Sequence, residues 1–218
     1  MKALILNSGM GTRMGVLTSE QPKCMTEISA RETLISRQLR LILDVGIKEV
    51  VITTGYYDRL LEEYCRSLDY PLHFIFVRNE DYKNTNYIYS IYCARKYLED
   101  SDVLLMHGDM VFEYKVLADM LSFEGSCMKV SSTAPLPDKD FKAVIKDGKI
   151  ARIGIYFFEN AIEAQPLYKL HKDDWKIWLE EIVEFCEKGE RTCYAEEAFN
   201  ALEGRCCLYP LDTGNDLC

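Results

Sequence analysis

Apolar segments of strand length alternate with amphipathic segments through the first half of the chain. The short, mainly apolar runs that predict buried strands lie at 2–6, 50–54, 73–77 and 103–106. Between these runs, apolar residues recur every three or four positions, which predicts helices. The predicted helices lie near 34–45, 60–68, 87–98 and 116–121. This alternation predicts an α/β fold with a doubly wound, mostly parallel, Rossmann-like sheet.

The pattern changes after about residue 125. Two short apolar runs at 143–146 and 149–153 flank Asp147-Gly148, a dipeptide typical of tight β-hairpin turns. A further strand is predicted at 155–158, which reads Ile-Tyr-Phe-Phe. We expect this half to be a small β-rich insertion with helices that packs over the sheet, not a separately folding domain.

A long amphipathic helix is predicted from about residue 173 to Gly189. Asp173 and Asp174 suit its N-terminus, because acidic side chains there interact favourably with the helix dipole. Trp175 and Trp178 fall on its apolar side, which predicts that both tryptophans are core residues.

Charge and composition exclude some classes of binding partner. The 218 residues carry a net charge of −9, and Lys and Arg form no cluster of the kind that follows a nucleic-acid backbone. No apolar run approaches the ~20 residues needed to span a bilayer, and the N-terminal apolar segment is too short for a signal peptide. We therefore expect a cytoplasmic protein without nucleic-acid or membrane partners.

The cysteines are predicted to be reduced. The chain has nine of them, an odd number, and none forms a C-x-x-C pair. Most lie among apolar residues in helical patterns, which is typical of buried thiols in a cytosolic protein.

A glycine-rich loop follows the first predicted strand and reads Gly-Met-Gly-Thr-Arg-Met-Gly over residues 9–15. Glycines let backbone N–H groups approach phosphate oxygens closely. The spacing differs from the dinucleotide fingerprint by one residue and lacks the Gly-Lys-Ser/Thr ending of a P-loop, so an ordinary glycine turn explains it equally well. Arg13 inside the loop and Lys23 after Pro22 favour phosphate binding, because they neutralise a triphosphate under attack.

Two aspartates follow predicted strands. Asp109 comes after the apolar run at 103–106 and would lie at the C-terminal edge of the sheet, where open α/β folds bind ligands. Asp212 precedes Thr213-Gly214 near the end of the chain. One or two carboxylates together with substrate phosphates are a typical magnesium arrangement. Helix capping at Asp109 and a plain turn at Asp212 are the alternatives.

These segments together resemble the signature of the sugar-phosphate nucleotidyltransferase-like superfamily. The opening at 3–13 with Pro22-Lys23 resembles its loop, and Asp109 and 211–213 resemble its two metal-ligand positions. The run Asn-Thr-Asn-Tyr-Ile-Tyr-Ser at 84–90 is similar to that of bacterial phosphocholine cytidylyltransferases and of relatives that act on phosphonates and other phospho-metabolites.

The resemblance implies a division of the single domain 1–218 into a nucleotide-binding core at about 1–124, an acceptor-pocket insertion at about 125–205 and a return strand at 206–218. It implies Mg²⁺ bound by Asp109 and Asp212. The catalytic residues would be Lys23, Arg13, Asp109 and Asp212. The nucleotide-binding residues would be Leu6, Asn7, Ser8, Gly9, Met10, Gly11, Thr12, Arg13, Lys23, Asn84, Asn86 and Ser90.

The implied reaction transfers a nucleotide from CTP or another NTP to a small phosphorylated metabolite. Aromatic side chains with a carboxylate favour a cationic head group such as choline, and an amino-bearing phosphonate or activated amino acid fits equally well. The candidate acceptor-binding residues are Tyr87, Tyr89, Tyr156, Tyr194 and Glu196. The resemblance also allows a homo-oligomer.

The chain departs from the family pattern at three places. Asn7-Ser8 replaces the usual Ala-Ala, and Pro210 stands where a Glu is common two residues before the second metal aspartate. The chain ends at Cys218, where relatives continue into a helix, so a truncation and a short natural end both fit. An NTP:sugar-1-phosphate nucleotidyltransferase and a non-catalytic nucleotide-binding regulator are the alternative functions.

Overall fold

A mixed α/β architecture is seen in the computed structural model, which describes residues 1–9, 11, 20–214, 216 and 218. The strands are β1 (Lys2–Leu6), β2 (Glu27–Ser29), β3 (Glu32–Thr33), β4 (Glu49–Thr54), β5 (His73–Arg78), β6 (Val103–His107), β7 (Cys127–Ser131), β8 (Lys142–Lys146), β9 (Lys149–Gly154), β10 (Ala161–Leu170) and β11 (Tyr209–Asp212). The helices are α1 (Leu34–Asp44), α2 (Asp58–Ser67), α3 (Tyr87–Ala94), α4 (Tyr114–Ser122), α5 (Lys172–Glu187) and α6 (Ala195–Ala201).

One large sheet organises the described residues. Its strands follow the order β11-β7-β10-β6-β1-β4-β5, with β8 and β9 attached beside β10. β6, β1, β4 and β5 are parallel to one another, whereas β10 is antiparallel to both β6 and β7. β11 pairs parallel to β7. The mostly parallel centre confirms the predicted fold class.

Two hydrophobic layers cover the two faces of the sheet. Alternate residues of β1 enter opposite layers, with Leu4 in the layer under α3, α5 and α6 and Ile5 in the layer under α1, α2 and α4. This alternation is the expected consequence of the two-residue period of a strand. The predicted core positions of Trp175 and Trp178 are confirmed, because both side chains are fully buried.

Local sequence signals explain where several helices begin and end. Thr33 and Ser36 form a reciprocal capping box at the start of α1. Gly46 adopts a φ of +84° directly after α1, and Ile47 N–H donates to Ile42 O at 3.1 Å. This is the arrangement in which glycine stops a helix at low conformational cost. Asn86 caps α3 by accepting from the backbone N–H of Tyr87.

The structure corrects the prediction in the second half of the chain. The hairpin around Asp147-Gly148 is confirmed as β8 and β9, but residues 155–158 form no strand. The long strand is instead β10, and β7 was not predicted at all. The helix predicted over 87–98 ends at Ala94 and continues only as a 3-10 turn, Arg95–Tyr97.

Three global features complete the description of the fold. Strands from the first and second halves of the chain share one sheet, while the division at about 124 and 205 stays a prediction. Within the described ranges, no helix is both long and apolar enough to cross a membrane. All nine cysteines are free, and most are buried.

Trp178 gives a test of this packing. Its indole fills the layer between β10, α5 and α6, and its Nε1–H donates to Ala195 O at 2.9 Å. We expect Trp178→Ala to lower the free energy of unfolding by ~3–5 kcal/mol, because it leaves a large cavity and an unpaired carbonyl. Urea denaturation measures this, with Tyr156→Ala as a control that changes stability by less than ~0.5 kcal/mol. A loss below ~1 kcal/mol for Trp178→Ala would contradict the packing.

Candidate active site

The ends of three parallel strands converge at one edge of the sheet. Asn7 and Ser8 follow β1, and glycines follow the strands on either side of it. A β-carbon at Gly55, after β4, would lie 2.4 Å from Ser8 O, and one at Gly108, after β6, would lie 1.8 Å from Asn7 Oδ1. Both positions therefore require glycine as long as Asn7 and Ser8 keep their present places.

Hydrogen bonds fix the backbone at this edge but leave two polar side-chain atoms unpaired. Asn7 N–H donates to Thr53 O at 3.1 Å, and Gly108 N–H donates to Leu6 O at 3.1 Å. Asn7 Nδ2 and Ser8 Oγ are buried and have no hydrogen-bond partner in the described part of the chain. Because such atoms each cost ~1–3 kcal/mol when unpaired, the site favours a ligand or water that supplies partners.

The glycine-rich loop is described only in part. Gly9 and Gly11 belong to the described residues, and Gly11 has a φ of +63°, which favours glycine. Met10, Thr12 and Arg13, which are predicted to bind the nucleotide, lie outside the described residues.

Lys23 and Asp109, which are 86 residues apart in the sequence, form an ion pair at this edge. The Lys23 Nζ lies 2.5 Å from Asp109 Oδ2, and both side chains are partly exposed. Lys23 begins a 3-10 turn that is anchored by the buried side chains of Cys24 and Met25. Burial opposes ionisation of Asp109, but the hydrogen bond and charge of Lys23 outweigh it and lower the pKa of Asp109. The structure thus brings together two of the four predicted catalytic residues.

Gln38 holds the turn that carries Asp109, and this role was not predicted. Its buried Nε2 donates to His107 O at 3.0 Å and to Met110 O at 2.9 Å. These bonds connect α1 to the segment on both sides of Gly108-Asp109. The signal that could have indicated this role is a glutamine on the mostly apolar face of α1, because a buried amide there must find hydrogen-bond partners.

Asp212 lies at the same edge but is not in contact with Asp109. β11 runs in the same direction as β6, with β7 and β10 between them. Asp212 Oδ2 accepts from Ser132 Oγ and from Ser132 N–H, and Oδ1 accepts from Gly214 N–H at 2.9 Å. The Ser132 hydroxyl and the Gly214 amide lower the pKa of Asp212.

The carboxylates at this edge determine which metal ions could bind there. Over the described ranges, no group of three or more His, Cys, Asp or Glu side chains is arranged to hold a metal. Asp109 and Asp212 are hard oxygen donors that stay ionised at neutral pH, which fits Mg²⁺ but not a nitrogen- or sulfur-ligated metal. A magnesium ion here would complete its shell with substrate phosphates and water.

A buried carboxylate with two tyrosines lies behind the end of β6. Glu196 is 1% exposed, and its two oxygens accept from the hydroxyls of Tyr87 and Tyr168. Burial raises the pKa of Glu196, although the two hydroxyl donors oppose that rise. The ring of Tyr87 packs edge-on against His107 with centroids 4.6 Å apart. Burial lowers the pKa of His107 to about 4, so this imidazole is neutral at pH 7.

The predicted acceptor residues lie in three places, the first of which holds a group of three. Tyr87, Tyr194 and Glu196 come together, since the rings of Tyr87 and Tyr194 lie 5.7 Å apart. Tyr89 lies elsewhere, stacked on Tyr92 with Arg191 over its ring. Tyr156 is 84% exposed in an open cleft of about 610 Å³ whose lining includes no other predicted site residue. Tyr168 and His107 belong to the first group and were not predicted.

The predicted nucleotide-binding residues of the 84–90 run contact the protein itself. Asn84 donates to Asp81, and Asn86 caps α3 and donates to Thr192 O. Ser90 is buried and accepts from Asn79 Nδ2 at 3.1 Å. These contacts hold the segment between β5 and α3 in place beside the strand ends, and a contact of these side chains with nucleotide stays a prediction.

Comparison with known proteins identifies relatives of this chain. The family described as "MobA-like NTP transferase domain" matches residues 3–130. The CTP:phosphoglutamine cytidylyltransferase of Campylobacter jejuni subsp. jejuni is 31% identical over 117 residues, which are 51% of this chain and 45% of that protein. The choline-phosphate cytidylyltransferase of Streptococcus pneumoniae is 32% identical over 108 residues, 48% of this chain and 43% of that protein. The matched stretch thus spans less than half the length of these curated relatives.

Solved structures show the same fold over nearly the whole chain. The inositol-1-phosphate CTP transferase from T. maritima superposes with a TM-score of 0.78 at 21% identity, covering 99% of this chain and 86% of that one. The nucleotidyltransferase fold is therefore shown for the complete sheet, including the strands that follow residue 125.

The contact between Gly108 and Asn7 gives a second test. We expect Gly108→Ala to cost ~1–3 kcal/mol of unfolding free energy, because the new methyl group overlaps the Asn7 amide. In the double variant Asn7→Ala/Gly108→Ala the overlap is gone, and most of the loss caused by Gly108→Ala should disappear. Urea denaturation measures both.

Gly9→Ala is the matched control, because a β-carbon at Gly9 meets nothing within 4 Å among the residues that the structure describes. If the losses of unfolding free energy from Asn7→Ala and Gly108→Ala simply add in the double variant, Gly108 is required for a reason other than its contact with the Asn7 side chain.

Proposed function

The chain belongs to the family of MobA-like NTP transferase domains, and on this premise we propose that it is a magnesium-dependent cytidylyltransferase. It transfers CMP from CTP to a small phosphorylated amine and releases pyrophosphate. The observation that carries the proposal is the Lys23–Asp109 pair, held at 2.5 Å beside Asn7 and Ser8 at the C-terminal edge of the sheet. This edge is where open α/β folds bind nucleotides.

The proposed reaction needs no side-chain nucleophile. The acceptor phosphate or phosphonate already carries an oxyanion, which attacks the α-phosphorus in line with the leaving pyrophosphate. Catalysis then consists of positioning and charge neutralisation. Lys23 neutralises negative charge on the phosphate oxygens, and Arg13 is a second cation with this role.

Mg²⁺ fits the donor set as a cofactor of this reaction. Asp109 would hold it, with Asp212 as the second protein ligand, and when bound it supplies charge neutralisation at the transferring phosphate. The charge of Lys23 balances that of Asp109 in their ion pair. The unpaired Asn7 Nδ2 and Ser8 Oγ would gain partners from the nucleotide or its bound water.

An amine-bearing acceptor is supported by two observations. The relatives' names include phosphoglutamine and choline-phosphate cytidylyltransferases. The aromatic faces of Tyr87 and Tyr194 lie beside the end of β6, and cation–π contacts with such rings contribute ~0.5–2 kcal/mol each. Both oxygens of Glu196 accept from tyrosine hydroxyls, so Glu196 also holds Tyr87 in place. CTP and phosphorylated metabolites are cytoplasmic compounds, so the proposal places the protein there.

The direct experiment is a pyrophosphate-release assay with Mg²⁺. The four NTPs are crossed with phosphocholine, phosphoethanolamine, 2-aminoethylphosphonate, phosphoglutamine and glucose-1-phosphate. We expect release with CTP and one amine-bearing acceptor, because the aromatic group favours a cationic substituent. Omitting Mg²⁺ and adding a chelator should abolish the release.

Other results of this assay point to other functions. Release with another NTP and glucose-1-phosphate would make the chain a sugar-1-phosphate nucleotidyltransferase. Tight NTP binding by calorimetry without release from any pair would favour a nucleotide-binding regulator.

Lys23→Met tests the proposed catalytic cation while keeping the length of the side chain. We expect kcat/KM to fall about 100- to 1000-fold, the usual effect of losing one donor to the charge that develops in a transition state. Lys176→Met on the exposed face of α5 is the control and should leave kcat/KM unchanged. Full activity of Lys23→Met with an unchanged circular dichroism spectrum would remove Lys23 from the mechanism.

A further inference from the structure

The order of the strands determines how a nucleotide lies across the site. β1 lies between β6 and β4, and neighbouring strands are ~4.8 Å apart. The Lys23–Asp109 pair marks the β6 side as the place for the phosphates. A nucleotide bound on the loop after β1 therefore has its base on the opposite side, above the ends of β4 and β5.

Three tyrosines stand on that opposite side. Tyr56 and Tyr57 follow β4 after Gly55, and Tyr82 lies in the turn after β5. The ring of Tyr56 meets that of Tyr57 edge-on with centroids 4.6 Å apart, and lies 6.3 Å from the ring of Tyr82. The three rings therefore form one group.

This group directly adjoins the loop after β1. A β-carbon at Gly55 would come within 2.4 Å of Ser8 O and 3.2 Å of the Tyr82 ring. Ser8, Gly55 and Tyr82 are thus close neighbours, so the segment after β1 adjoins the tyrosines.

Tyr56 is 58% exposed although its ring is braced by two other aromatic rings. A ring that neighbouring rings already hold in place loses little conformational freedom when a flat ligand stacks on it. Stacking of a base on an aromatic ring tolerates any base. We infer that Tyr56, supported by Tyr57 and Tyr82, is the surface on which the nucleobase of the bound NTP stacks. This inference rests on the proposed nucleotide site and adds a base-contacting residue that no sequence motif indicated.

The test compares binding of NTPs with binding of inorganic triphosphate by isothermal titration calorimetry. The wild-type chain is titrated with ATP, CTP, GTP and UTP, and the nucleotide that binds most tightly is used for the variants. We expect Tyr56→Ala to raise its Kd at least about fivefold, whereas Tyr56→Phe, which keeps the ring, stays within about twofold. The Kd for triphosphate should be the same in all three proteins.

The controls separate stacking from other causes. Phe158→Ala removes an exposed aromatic ring from the loop between β9 and β10 and should leave both Kd values unchanged. An unchanged NTP affinity of Tyr56→Ala would overturn the inference, and so would an equal loss of triphosphate affinity, which would place the effect at the phosphates.

The design also distinguishes this inference from the proposed function. Preferred binding of an NTP other than CTP would overturn the cytidylyltransferase proposal, yet the effect of Tyr56→Ala would still be measured with that NTP. A wild-type chain that binds none of the four nucleotides would overturn both.

Discussion

The tight convergence of β4, β1 and β6 at their C-terminal ends is the constraint on which the site depends. Gly55 and Gly108 leave no room for a side chain beside Ser8 and Asn7, so the segment after β1 is clamped between its two neighbours. Asp109 is placed one residue beyond the second glycine, and Gln38 fixes the same turn from α1. The position of the carboxylate relative to the nucleotide loop is therefore set by close packing and buried hydrogen bonds, which tolerate little displacement.

The first half of the fold was predictable because its central strands are buried on both faces. Parallel strands of this kind are nearly continuous apolar runs, as in β1 and β6. β10 escaped prediction because it carries Glu163, Gln165, Pro166 and Lys169 within ten residues, although it lies in the middle of the sheet. The buried ammonium of Lys169 donates to backbone carbonyls at the end of α4, a compensation that only the tertiary structure reveals. Conversely, the apolar run at 155–158 remains a loop, because most of its side chains have no core to enter.

In the site, the residues that belong to a sequence motif were predictable, whereas the residues that hold those motif residues in position were not. Lys23 and Asp109 follow from the resemblance and meet across 86 residues of sequence. Gln38, Tyr168 and His107 are positioned by contacts between distant segments, which no spacing rule encodes. Glu196 is buried and accepts from two tyrosine hydroxyls, contacts that the sequence did not reveal, while its contact with an acceptor stays a prediction. Asn86 and Ser90 likewise form hydrogen bonds within the protein, and their contact with nucleotide stays a prediction.

An acidic protein that handles polyphosphates must concentrate positive charge locally, since its net charge of −9 repels them at long range. The described edge of the sheet achieves this with few charges. His107 is neutral, and the charges of Lys23 and Asp109 balance each other, so these three side chains together carry little net charge. A metal ion held by Asp109 would compete with Lys23 for this carboxylate and would add positive charge for the phosphates. Metal and nucleotide binding should therefore be cooperative, because each supplies the charge that the other requires.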